Sequence, residues 1–233
     1  MVTCNDEDTS NRVDYDEEGR KLLARVHLLD NDDNDDKGSS QDDDAAMSAF
    51  RRAHAYSNPI YRDPTTGGTV HVGNHMAAES LGKLNDMTPA PCRRIVYCLD
   101  RQNGKPFQDN PEFTYHDFNI GWWRQTLGHD RYDPIKVLEF FQPFFDFLDA
   151  ELKEGRAILI HCLAGAHRAG TAGIASLMYL TGMSAEEATK AAKSLRPIIN
   201  PISDFPKLLQ TLEAGLKLKQ EQEQAQGAGA GLA

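Results

Sequence analysis

The sequence has no apolar run long enough to cross a membrane and no cysteine or histidine pairs at zinc spacing, and it has only two tryptophans in 233 residues. The first absence argues against a membrane partner, the second against a structural metal. No apolar leader opens the chain, so Cys4, Cys92, Cys98 and Cys162 are expected as reduced thiols of a cytoplasmic or nuclear protein, not as a disulfide framework. Basic excess is missing too: 35 acidic residues face 25 basic ones, for a net charge of -10. The deficit sits at one end. Residues 1–45 hold fifteen Asp or Glu and five Lys or Arg, so the remainder carries twenty of each sign and is neutral. A neutral body behind an acidic tail suits no nucleic-acid partner.

The length fits one domain. Residues 1–50, with "DNDDNDDKGSSQDDD", bury too little apolar surface to offset chain entropy and are expected to be disordered. No register of that run makes a calcium loop. Inside it, "GRKLLARVHLLD" mixes leucines with basic residues; it is either an amphipathic docking segment or an element packed on the body. Residues 51–224 form the expected folded domain and 225–233 a flexible end.

"TVHVGN", "RRIVYCLD", "FTYHDFNI" and "RAILIHC" read as strands. The segments "HMAAESLGKLND", "DPIKVLEFFQPFFDFLDAELKEG", "RAGTAGIASLMYLTG", "SAEEATKAAKSLRP" and residues 203–224 read as helices, with Pro143 bending or interrupting the second. Ser184 and Glu187 form a capping box. Strands alternating with helices predict an α/β fold, a mostly parallel twisted sheet flanked by helices.

"AILIHCLAGAHRAGTAG" delivers Cys162 from a strand end into a loop of small residues that opens onto a helix. Backbone N–H groups of such a loop, with the helix N-terminus, bind an anion. Gly165, Ala164 and Ala166 let the backbone wrap closely, and the Arg168 fork matches two phosphate oxygens. The same donors stabilise a thiolate on Cys162. A nucleophilic sulfur beside a bound dianion implies phosphoryl transfer to sulfur.

The H-C-x-x-G-x-x-R pattern of His161, Cys162, Gly165 and Arg168 resembles the signature of the cysteine-dependent protein phosphatases, and "HCLAGAHRAGT" is most similar to the dual-specificity branch. The resemblance covers roughly residues 55 to 212. It implies hydrolysis of phosphotyrosine and phosphoserine or phosphothreonine in a phosphorylated protein substrate through a phosphocysteine, with no cofactor. Cys162 and Arg168 are then catalytic, and residues Leu163, Ala164, Gly165, Ala166 and His167 hold the phosphate. A general acid about thirty residues upstream is implied; Asp130 is the choice and Asp133 the runner-up, although Asp133 before Pro134 also fits a helix N-cap. His161 either supports the loop and tunes the thiolate or is a buried histidine satisfied by backbone. Cys98 is either a redox partner for Cys162 or a small core residue. Trp122 and Trp123 are expected to pack in the core or act as a loop hinge.

One position departs from the family. Ala169 stands where a hydroxyl usually follows the arginine, and Thr171 is the next hydroxyl, with a structural task of its own. An alanine there resembles the phosphatases of regenerating liver and implies a slow second step. It also leaves open a phosphoprotein-binding module with little turnover. The absence of lysine between Cys162 and Arg168 disfavours phosphoinositides, which with phosphoglucans are the non-protein alternatives. Oligomeric state is not legible.

Overall fold

The computed structural model describes residues 21–22, 24–28, 55–88, 91–99 and 104–230. Five strands, β1 (Ser57–Arg62), β2 (Thr69–Gly73), β3 (Arg94–Tyr97), β4 (Thr114–Asp117) and β5 (Ala157–His161), form one sheet in the order β1-β2-β5-β3-β4. All neighbours are parallel except β1, which runs antiparallel to β2. This is the expected α/β fold with a mostly parallel sheet. Every residue of β2 and β5 is buried, which is why both read as continuous runs. β1 escaped the sequence reading because Pro59 interrupts its pattern. In place, exposed Pro59 sits at a register shift on an edge strand, where a missing N–H is tolerated.

The helices are α1 (His75–Glu79), α2 (Leu81–Asn85), α3 (Trp123–Leu127), α4 (Pro134–Lys153), α5 (Arg168–Thr181), α6 (Ala185–Leu195) and α7 (Phe205–Ala230). The single helix expected from His75 onward is split, because Ser80 leaves helical geometry and its hydroxyl accepts from Lys83 N, restarting the chain as α2. Helix α4 runs unbroken through Pro143, against expectation. Proline deprives Glu139 of a helical partner, but both residues are exposed, so the cost of a buried unpaired carbonyl does not arise. The opposite face of α4 buries Val137, Leu138, Phe141, Phe144, Phe145, Leu148 and Leu152 against the sheet, each contributing roughly 2 kcal/mol. Phe118, just beyond β4, stacks on Phe144 with centroids 4.7 Å apart. The capping box at Ser184 is present. Helix α7 continues to Ala230, so residues 225–230 of the expected flexible end are helical, and 231–233 lie outside the described residues.

Two apolar clusters cover the sheet, one under α1 and α2, the larger under α4 to α7. The larger one includes Leu22 and Val26. Part of the segment expected to be disordered therefore packs on the body: Arg62 N donates to Val26 O at 3.0 Å, and Arg25 Nη2 to Thr181 O at 2.9 Å. Two buried apolar side chains and these bonds outweigh the entropy of ordering one helical turn. Most of the acidic run lies outside the described residues. Among the described residues, no helix is long and apolar enough to cross a membrane.

Candidate active site

Strand β5 ends at His161, and the chain turns at once into the loop 162–167 before α5 begins at Arg168. Cys162 is 3 % exposed, at the base of the loop, and its Sγ accepts the Gly165 N–H at 3.3 Å. Gly165 adopts φ +68, and a Cβ there would lie 2.4 Å from the Gly73 carbonyl oxygen, so only glycine fits. Helix α5 passes close over β2, where a Cβ on Gly173 would meet Val72 Cγ2 at 2.5 Å. That small-residue contact points the positive end of a fourteen-residue helix at the loop. Leu163 and Ala164 face solvent at the mouth, whereas Ala166 is buried.

The segment after α6 grips the same loop. Arg196, 1 % exposed, donates to Gly165 O and Ala164 O, and Asn200 N donates to Ala166 O at 3.0 Å. His167 turns away from the loop, its Nδ1 lying 2.6 Å from Asn200 O. Sequence reasoning missed Arg196 and Asn200, because an arginine before a proline at a helix end reads as a C-terminal charge.

Both ring nitrogens of His161 are buried and neither makes a well-aligned hydrogen bond among the described residues, with the Cys162 backbone acting on the ring, so the backbone-supported reading stays open; the ring meets Tyr97 edge-on at 5.4 Å. Burial, with nearby His75, pushes the imidazole down to about 4, so it is neutral at pH 7. Among the described residues no cluster of His, Cys, Asp or Glu could hold a metal ion. Cys98 is buried beside Cys162: Tyr97 pairs with His161 across β3 and β5, and Cys98 N donates to His161 O at 3.0 Å. Burial first, then the Cys162 charge, holds the Cys98 thiol well above its ordinary value, with Arg168 opposing.

Ala169 is fully buried in the first turn of α5. The Thr171 hydroxyl donates to His167 O at 2.7 Å, which is the structural task expected of it. Asp133 caps α4, accepting from Ile135 N and Lys136 N at 2.8 and 3.0 Å. Asp130 is exposed at the end of a 3-10 turn, and its backbone carbonyl accepts from Asp133 N. Its side chain has no hydrogen bond or ion pair among the described residues, and no described contact joins it to the loop. From the same segment Gly121 approaches the start of α5, where a Cβ on it would be 3.2 Å from Arg168 Cδ. Arg124 ties the segment between them to Ser203 at 2.9 Å and to Asp204. Trp123 is buried as expected, but Trp122 is 52 % exposed.

A family model described as the catalytic domain of dual specificity phosphatases matches residues 95–214. Over 144 residues the chain is 31% identical to human dual specificity protein phosphatase 9, covering 60% of this chain and 33% of that one. Over 79 residues it is 34% identical to dual specificity protein phosphatase 1 of Arabidopsis thaliana, covering 34% of this chain and 40% of that one. The chain thus spans less than half the length of these curated relatives. Its fold is similar to the crystal structure of human DUSP28, with a TM-score of 0.51 at 22% identity over 70% of this chain and 96% of that one. A leucine rich repeat and phosphatase domain containing protein from Entamoeba histolytica gives 0.53 at 19% identity, over 73% and 97%. Because the catalytic-domain model covers more than half of the 233 residues, the chain belongs to the dual specificity phosphatase family.

Proposed function

We propose that the chain hydrolyses phosphate monoesters on protein side chains, phosphotyrosine and phosphoserine or phosphothreonine, through a phosphocysteine. The observation that carries this is the Gly165 N–H directed at Cys162 Sγ within a loop at the start of α5. The thiolate attacks phosphorus, the ester oxygen leaves with the electron pair of the broken P–O bond, and Asp130 gives that oxygen its proton. Arg168 and the loop N–H groups hold the equatorial oxygens. Water then attacks the phosphocysteine, giving a proton back to the Asp130 carboxylate as the P–S bond breaks, so that inorganic phosphate departs and both the thiolate and the Asp130 acid are regenerated. For the first step the Asp130 carboxyl must come within a hydrogen bond of the leaving oxygen when substrate is bound.

The second step is slow, because Ala169 offers no hydroxyl to the departing thiolate and that of Thr171 is committed to His167 O. Rapid-quench kinetics will show a burst of product followed by a slower steady state, and Ala169→Ser will speed the steady state. No burst, or no gain, refutes it. Support for a protein substrate is the absence of lysine between Cys162 and Arg168, with Leu163 65 % exposed at the mouth. A panel of phosphopeptides, phosphoinositides and phosphoglucans, assayed with wild type and Cys162→Ser, will show Cys162-dependent turnover of phosphopeptides. Turnover confined to another class overturns the substrate assignment, and tight binding without turnover indicates a phosphoprotein-binding module.

A further inference from the structure

We infer that Arg196 is a positioning residue for the phosphate loop: together with the Asn200 backbone, it holds the carbonyls of residues 164–166 outward and thereby aims the following N–H groups at the anion site. This rests on the anion-binding role proposed for the loop. In a trans peptide unit the C=O and the N–H point in opposite directions. Arg196 Nη2 donates to Ala164 O at 3.3 Å, Arg196 Nε to Gly165 O at 3.1 Å, and Asn200 N to Ala166 O at 3.0 Å. The three units so held carry the N–H groups of Gly165, Ala166 and His167. The first of these is the one found on Cys162 Sγ.

The guanidinium is itself held from the far side, where Nη1 donates to Ala55 O at 2.9 Å and to Asn58 Oδ1, on β1, at 2.7 Å. Among the described residues all four acceptors are neutral: three backbone carbonyls and one side-chain amide. A buried cation without a carboxylate is costly unless an anion comes near. The anions this site offers are the Cys162 thiolate and, in the catalytic cycle, the bound phosphate. Burial pushes the guanidinium down to about 10 while the Cys162 charge opposes that fall, so Arg196 is a cation at neutral pH. Arg196 therefore sets both the direction of the loop dipoles and the local charge, without touching substrate. In the proposed cycle Arg168, at the start of α5, is the arginine that touches the phosphate.

The test compares wild type with Arg196→Lys, which keeps the charge but loses the planar fork, and Arg196→Met, which loses both. Orthovanadate serves as the anion probe, and iodoacetamide alkylation of Cys162, followed by peptide mapping across pH, reports the thiolate. Arg196→Met is expected to weaken vanadate binding about tenfold or more and to move the alkylation profile about one pH unit higher. Arg196→Lys is expected to weaken vanadate binding about tenfold with a smaller move of the profile. Wild-type vanadate affinity and an unmoved profile in either folded variant overturn the inference while leaving the proposed function standing. If circular dichroism shows Arg196→Met unfolded, the lysine variant decides by the same criteria. Failure of wild type to bind vanadate at all overturns the function and this inference together.

Discussion

Acidification from about pH 7 to pH 5 should cost this protein several kcal/mol of stability, chiefly through two histidines, with burial of His116 acting in the same direction against the nearby Asp117. His71 on β2 and His161 on β5 are buried. Desolvation pushes both imidazoles from 6.5 down to about 4, helped at His71 by the charge of Arg62, against the Thr88 carbonyl, and at His161 by His75. The unfolded chain takes up both protons near 6.5, whereas the folded chain refuses them until about 4. Stability is therefore whole above about 6.5 and falls as pH drops through that window. At about pH 5 each histidine accounts for at most about 2 kcal/mol, or about 4 kcal/mol together. The Ser184 backbone and hydroxyl hold the Glu187 carboxyl low, and Lys217 does the same for Glu213, so these acids lose their contribution only at lower pH. Urea unfolding followed by circular dichroism at about pH 7.5 and about pH 5 measures the difference. With an m-value of about 2 kcal/mol/M, the midpoint should fall by roughly 1 to 2 M. His71→Gln, which keeps a polar partner for Thr69, should about halve the fall. An equal or higher midpoint at the acid pH refutes the reasoning.

Three further outcomes are expected. Gly165→Ala places a Cβ 2.4 Å from Gly73 O at a positive φ, so p-nitrophenyl phosphate turnover should fall at least about a hundredfold, with about 1–2 kcal/mol lost from stability; near-normal turnover contradicts the tight loop. Asp130→Asn should lower kcat/KM on alkyl phosphates about a hundredfold or more with stability unchanged, whereas Asp133→Ala should cost about 1 kcal/mol of stability and spare kcat/KM; the reverse pattern exchanges their roles. After mild peroxide, peptide mapping should find Cys98 joined to Cys162, the two thiols supplying the electrons that reduce peroxide to water; sulfinic acid on Cys162 with Cys98 still free dismisses that pairing.

Which features were legible in the sequence follows from how local their causes are. Strand β5, the loop and the start of α5 follow from a buried apolar run and small residues within seventeen consecutive positions, so Cys162 and Gly165 came out directly. The Ser184 box and the Asp133 cap are likewise contained within one helical turn. Arg196 acts across more than a hundred residues on Asn58 and across thirty-one on Gly165, a relation no local pattern encodes. The resemblance places His167 among the residues that hold the phosphate, but its ring is drawn to Asn200 O by a loop that sequence could not place. Asp130 follows from the upstream spacing that the family resemblance implies, with Asp133 set aside as a helix N-cap. Spacing does not say how far an exposed turn must travel to reach the sulfur, and the described contacts of that segment run through Gly121 and Arg124 instead.

The central claim is that Cys162 carries the phosphoryl group. It is tested most directly by stopping wild-type protein in acid during turnover of p-nitrophenyl phosphate and mapping the peptide that contains residue 162 by mass spectrometry. A phosphate on Cys162, together with sustained phosphate release that Cys162→Ser abolishes, is the predicted result. Release that persists in Cys162→Ser, or turnover with no phosphate ever trapped on that peptide, contradicts it.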